Sequence, residues 1–211
     1  SASFKTHQIE MHGRLSLALA LIARKCRLSI IGVETDVPKS RLRKMYHEYH
    51  NCSAPCGPIP DLGCAMISTR TQQAVASLFA CLYYSAGGCQ PIRGVPRFQS
   101  HSIDEVIRCH DISQSLLGSE LAMDMTRCWV VARDLRLGAS WLQWCSDCNA
   151  NYLVNEAGRL SHTCPFCASI KSSPRRVVQL PLLKLTVFDP KAAVNPRLGF
   201  RGYLDVVGHG G

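Results

Sequence analysis

Residues 145–167 read CSDCNANYLVNEAGRLSHTCPFC. Cys145 and Cys148 make one Cys-x2-Cys knuckle, and Cys164 and Cys167 make a second, with fifteen residues between the inner cysteines. That spacing predicts a four-cysteine zinc site. Each knuckle turns so that two sulfurs meet one ion, and the segment between must bring the second pair back to the first. Residues 151–154 predict one strand, 156–158 the turn and 160–163 the return strand. Four thiolates make a tetrahedral shell at about 2.3 Å that is closed to water and offers no position for catalysis. The expected cofactor is therefore a single structural Zn2+. The same ligands also suit an iron–sulfur cluster. His162, two residues before Cys164, is a competing ligand, and four unligated cysteines in a β-hairpin is the plain alternative.

Outward from the knuckles, the chain of 211 residues carries twelve cysteines. No basic, apolar and small-residue order at the start predicts a secretory signal. The richest apolar stretch, residues 15–22, falls well short of the roughly 20 residues that span a bilayer. The expectation is a cytoplasmic protein without membrane contact, whose cysteines are metal ligands or buried thiols rather than disulfides. Cys26, Cys81, Cys109 and Cys128 fall within helical patterns and predict small buried hydrophobes. Cys52, Cys56 and Cys64, with His47 and His50 nearby, are spaced for no recognisable second site.

The net charge of +9 is concentrated. Residues 24–44 carry a net +5, residues 157–188 another +5, and the remainder −1. Two basic footprints predict a polyanionic partner, with solvated surface charge as the alternative. Within residues 7–27, Ile9, Met11, Leu15, Leu19, Ile22 and Cys26 recur at helical spacing. A short helix is expected at 28–33. Asp36 and Pro38 signal the start of a third helix, 38–50. Leu42, Met45, Tyr46 and Tyr49 share one face of it, and Ser40, Lys44 and His47 lie opposite, flanked by Arg41, Arg43 and Glu48. Residues 15–50 thus predict a helix–turn–helix-like unit, with an apolar face to dock and a basic one for the major groove. Arg can pair with guanine edges, and Lys and Arg can neutralise phosphates. Further helices are expected at 68–86, at 102–117 behind a Ser102–Glu105 capping box, and at 120–137, where Leu121, Met125, Trp129, Ala132 and Leu135 form the core side. Residues 173–211 are Pro- and Gly-interrupted and predict an irregular tail.

The fold class expected is mainly α: a helical bundle with the N-terminal helix–turn–helix-like unit and a small C-terminal four-cysteine zinc-ribbon module. The expected domains are 1–138 for DNA binding and assembly, 139–172 for zinc, and 173–211 as the tail. This order of elements resembles the flagellar master transcriptional regulator C-subunit family, FlhC. The matching stretches are residues 9–50, with Glu34-Thr35 and Arg41-Leu42-Arg43-Lys44-Met45-Tyr46-His47-Glu48; Ser77-Leu78-Phe79-Ala80-Cys81; Ile103-Asp104-Glu105-Val106-Ile107; Thr126-Arg127-Cys128-Trp129; and the two knuckles. The resemblance implies an activator of flagellar and motility operons that binds double-stranded promoter DNA, forms a heteromeric complex with the D subunit (FlhD) and recruits RNA polymerase. It also implies that Cys145, Cys148, Cys164 and Cys167 are the zinc ligands. Cys52, Cys56, Cys64 and residues 91–100 depart from the family pattern. The DNA-facing residues expected are Lys39, Ser40, Arg41, Arg43, Lys44 and His47, joined by Arg159 and Lys171 from the second basic window.

Two other classes compete. A zinc-dependent deaminase-like enzyme would need a His-x-Glu beside its Pro-Cys-x-x-Cys, and no His-x-Glu occurs in the chain. A zinc-ribbon RNA-binding or structural assembly protein would offer stacking aromatics in a basic groove, but aromatics make up only 7% and few lie in the basic windows. The chain reads as a regulator rather than an enzyme.

Overall fold

The computed structural model describes residues 2–55, 57, 59, 66–87, 102–155, 158, 160 and 162–172. Among them the chain is mainly helical. Three helices come first: α1 (Ala2–Ala23), α2 (Leu28–Thr35) and α3 (Lys39–His50). The end of α1 is closed by Lys25 in the left-handed region (φ 55°), with Lys25 N–H donating to Ile22 O and Cys26 N–H to Leu21 O. This paired bonding satisfies the last helical carbonyls and turns the chain sharply. Asp36, also left-handed (φ 54°), ends α2, and three residues later α3 begins. The three helices pack on one another around Leu21, Ile22, Ile30, Ile31 and Leu42, all fully buried. Each such side chain contributes about 1.5–3 kcal/mol by leaving water.

The second group is built on α4 (Arg70–Ser85), which contacts α5 (Ile103–Leu117), α6 (Met125–Leu137), α7 (Pro165–Ser172) and both strands of a hairpin, β1 (Ser140–Cys145) and β2 (Ala150–Asn155). A capping box starts α4: Thr69 Oγ1 accepts from Gln72 N–H, and Gln72 Oε1 accepts from Thr69 N–H. Gln73 to Ala80 are all buried, two full turns covered on every side. The strands pair antiparallel, Ser140 with Asn155 through Cys145 with Ala150. The outer edge of β2 faces α4. Gln73 Nε2 donates to Leu153 O at 3.0 Å, and Leu153 N–H donates to Ser77 Oγ at 2.9 Å. The helix therefore satisfies backbone groups that a neighbouring strand would otherwise have taken.

Several sequence expectations shift. The inward stripe of α1 runs through Ala18, Leu21 and Ile22, while Ile9 is exposed and Leu19 falls on the other face of the helix, also exposed. Tyr49 is 55% exposed, so α3 docks on Leu42 and Tyr46. Asp36 closes α2 rather than capping α3, whose N-cap is Pro38. Ser102 precedes α5 without a side-chain cap, so the capping box lies at Thr69 instead. The helix expected at 120–137 begins only at Met125, because Asp124 Oδ1 accepts from Arg127 N–H at 2.9 Å and sets the start there; Leu121 is left 49% exposed. Of the return strand expected at 160–163, the described residues 160, 162 and 163 lie in no strand. The hairpin partner of β2 is β1, and the first knuckle is itself the hairpin turn. Residues 88–101 and the tail 173–211 lie outside the described residues.

Gln73→Leu keeps the volume but leaves Leu153 O without its donor, and Ser77→Ala leaves Leu153 N–H without its acceptor. Each is expected to lower the unfolding free energy by about 1–3 kcal/mol, measured by denaturant titration.

Candidate metal centre

Cys145 is the last residue of β1, and the chain turns back through Cys148 into β2. Asn149 closes this turn in the left-handed region (φ 54°), its N–H donating to Cys145 O at 2.9 Å. Asn tolerates that conformation better than most residues. Cys164 directly precedes α7, and its carbonyl accepts from Ala168 N–H. Pro165 fits the first helical position because it has no N–H to lose, and Cys167 falls in the first turn. The positive end of α7 thus favours negative sulfur at both positions. Tyr152, Val154 and Phe166 pack around the cluster. Tyr152 Oη donates to His162 O, and Arg70 Nη1 donates to Thr163 O at 2.9 Å, so β2 and α4 both hold the approach to the second knuckle.

All four sulfurs lie within 4.8 Å of one another. Cys145 Sγ to Cys167 Sγ is 3.7 Å and Cys148 Sγ to Cys164 Sγ is 3.6 Å. A disulfide requires about 2.05 Å. A tetrahedron of sulfurs about 2.3 Å from an ion has edges of about 3.8 Å. The donor set therefore fits one tetrahedral metal ion, which the four cysteines could hold once the wider sulfur pairs draw in by about 1 Å. An open cleft lined by Trp144, Asp147, Tyr152 and three of the cysteines gives the ion a route from solvent. His162 is not among the converging ligands; its ring meets that of Trp141 at 6.1 Å.

The thiols divide in their acidity. Desolvation raises Cys145, but N–H groups of Cys148 and Asp147 facing its sulfur outweigh it and bring the thiol down to about 7. Cys167 is pushed up to about 11, first by burial and then by its sulfur neighbours. Cys148 is pushed up further by the same causes. Crowded sulfurs resist a second negative charge until a cation joins them.

The other expected site residues fall elsewhere. Lys39, Ser40, Arg41, Arg43, Lys44 and His47 are all exposed on α3. Among the described residues, Arg41, Arg43 and Lys44 have no ion-pair partner. Lys171 lies in α7 with its side chain undescribed, and Arg159, Cys56, Cys64 and Cys89 lie outside the described residues. Cys52 is exposed, and His50 is engaged by Ile22 O at 2.7 Å. Cys26, Cys109 and Cys128 are buried as expected, and Cys81 is half-buried against Asn151 O. Sequence reasoning passed over Arg70, Gln73 and Ser77, which support the hairpin. Their signal was a polar pair four residues apart, Gln73 and Ser77, on an otherwise apolar helix.

A model of the family described as flagellar transcriptional activator (FlhC) matches residues 5–179. The chain is similar to the flagellar transcriptional regulator FlhC of Cupriavidus necator, 25% identical over 157 residues covering 73% of each chain. It is likewise 25% identical over 157 residues to that of Proteus mirabilis, covering 72% of this chain and 77% of the relative. Against that of Pectobacterium carotovorum it is 25% identical over 187 residues, 87% of this chain and 89% of the relative. No helix among the described residues is long and apolar enough to cross a membrane.

Elemental analysis is expected to give one metal ion per chain, and Cys145→Ser or Cys164→Ser to abolish its tight retention. Because Cys148 and Cys167 hold their protons well above neutrality, the ion must displace protons on binding. Affinity should therefore rise with pH and fall on acidification from about pH 8 to about pH 6, read by competition with a chromogenic chelator.

Proposed function

Because the chain belongs to the FlhC family of flagellar transcriptional activators, whose members regulate transcription and form no class of enzymes, we propose that it binds double-stranded promoter DNA through α3. The observation that carries this reading is the outer face of that helix. Arg41, Arg43 and Lys44, with Lys39, Ser40 and His47 beside them, stand exposed. Leu42 and Tyr46 fix the opposite face in the core. A rigidly docked helix with unpaired cations is what a major groove accepts. Arg159 and Lys171 supply further phosphate contacts from the metal side.

The metal is zinc. A closed, all-sulfur tetrahedron suits an ion that folds a module and does no chemistry. Residues 1–138 serve DNA binding and assembly, 139–172 hold the ion, and the tail 173–211 is left without a role. The protein acts in the cytoplasm, in a heteromeric complex with the D subunit (FlhD), and recruits RNA polymerase. Exposed Ile112 and Leu116, one turn apart on α5, and Leu121 just beyond it support a protein partner on the helical middle. Co-purification and sizing with FlhD test this; a monomer that ignores FlhD would refute it, and iron in place of zinc would refute the assignment of the metal.

The DNA reading is tested by promoter titrations at several salt concentrations. Lys44→Ala is expected to weaken binding to every sequence and flatten the salt slope by about 0.9 per lost phosphate contact. Arg41→Ala or Arg43→Ala is expected to cost roughly 1–3 kcal/mol and relax preference at one base position. Parental binding by all three folded variants would transfer the contact surface to the metal module.

A further inference from the structure

The two helical groups meet in an unusual way. The helices α1, α2 and α3 pack closely on one another, as do α4, α5, α6 and the hairpin, but among the described residues the helices of the first group touch those of the second at only a few points. Apolar side chains of both groups share one core. Apolar burial is non-directional, so it holds the groups together without fixing their rotation. Direction comes from polar ties between described residues, among them the following. Trp129 Nε1 on α6 donates to Glu34 Oε1 on α2 at 2.6 Å, across 95 residues. Arg24, just past α1, forks onto Asp111 of α5 at 2.8 and 2.5 Å. Arg27 N–H, at the α1–α2 junction, donates to Thr126 Oγ1 at 3.3 Å.

The Trp129 tie is the most constrained. Its ring is buried, and the Arg133 guanidinium lies 5.7 Å above it. A buried indole N–H needs an acceptor, and an ionised one gives a short, directional bond. The Arg24–Asp111 pair is bidentate, which adds angular definition although both groups are partly exposed. The Arg24 guanidinium holds the Asp111 carboxyl below its ordinary range. Glu34 lies in the last turn of α2, two residues before the Asp36 turn that leads into α3.

We infer that Glu34 and Trp129, helped by Arg24 and Asp111, are positioning residues that set the angle of α3 against the helical body, so that promoter preference depends on side chains that never touch DNA. The inference rests on α3 being the DNA-facing helix. Losing the tie leaves the cations on α3 in place, so attraction to phosphates persists. What is lost is the fixed presentation of side chains to base edges, because a helix free to rock spreads them over several registers. Specific binding therefore falls while non-specific binding does not.

The test uses the full metal-loaded chain assembled with its partner, and two duplexes, a flagellar promoter and a scrambled sequence of equal length. Trp129→Phe keeps the ring in the core and removes the donor; Glu34→Ala removes the acceptor from the other side, and is the variant that decides if Trp129→Phe fails to fold. Each should lower promoter affinity about tenfold, the effect of the correctly angled helix falling to about one-tenth of the population. Scrambled-duplex affinity, salt slope, circular dichroism and metal content should stay parental. Glu34→Gln, which still offers an oxygen to the indole, should recover most of the promoter affinity. A folded Glu34→Ala with a parental ratio of promoter to scrambled binding overturns the inference, as does an equal loss on both duplexes. Arg41→Ala and Arg43→Ala run alongside separate the two claims. If they lose promoter preference and Glu34→Ala does not, only the positioning role fails; if they too bind as the parent, α3 does not read DNA and both claims fall.

Discussion

The backbone of Leu153 is the point on which the architecture turns. A two-stranded hairpin exposes one edge per strand and is marginal alone in water. Here β2 hands its outer N–H and carbonyl to Ser77 and Gln73 of α4. The same helix carries α5, α6 and α7. The metal centre inherits its geometry from this. Its first knuckle is the tip of the hairpin, fixed to α4 through β2, and its second opens α7, fixed to α4 by packing and by Arg70 on Thr163 O. Both halves of the ligand set thus hang from one helix. An ion bound between them closes a ring of elements rather than stapling two loose loops, which is why the four sulfurs converge with tetrahedral spacing.

Charge follows a different rule at the other end of the chain. Arg14 pairs with Asp36, Arg24 with Asp111, Arg127 with Asp124 and Arg133 with Asp134. On α3, Arg41, Arg43 and Lys44 stand close together without such partners among the described residues. Of these only Arg41 and Lys44, three positions apart, are neighbours on the helix surface, and such a like-charge pair costs a few tenths of a kcal/mol. The burial of Leu42 and Tyr46 more than offsets that. The helix can therefore hold its cations in water as an uncancelled field, and such a field raises the local concentration of a polyanion.

The sequence made some of this legible and not the rest, for reasons visible at particular residues. Cys145, Cys148, Cys164 and Cys167 are readable because ligand spacing is a local property of the chain. The helices were readable from their 3.6-residue period, and the end of α6 from Gly138. The start of α6 was not, because apolar periodicity runs back through Leu121 while the Asp124 cap overrides it. The partner of β2 was expected after it and lies before it, because alternation cannot say which side of a turn supplies the partner. Gln73 to Leu153 and Glu34 to Trp129 left no periodic trace at all, since they join residues 80 and 95 positions apart. Such ties follow from packing that already exists.

The cysteines show how little residue type decides by itself. Cys26, Cys109 and Cys128 sit among apolar side chains, and burial pushes the first to about 12 and the second to about 11, with the third also raised well above its ordinary value. At neutral pH they stay protonated, and among the described residues they join no group of converging ligand atoms; they are small pieces of core. Cys145 has the same side chain and partial burial, yet its thiol falls to about 7 because two N–H groups of its own turn face the sulfur. Those N–H groups face it because Asn149 takes the left-handed conformation that folds the knuckle back. A cysteine becomes a ligand here through the backbone of the three or four residues after it. A count of twelve cysteines therefore predicts less than the two places where the chain turns around one.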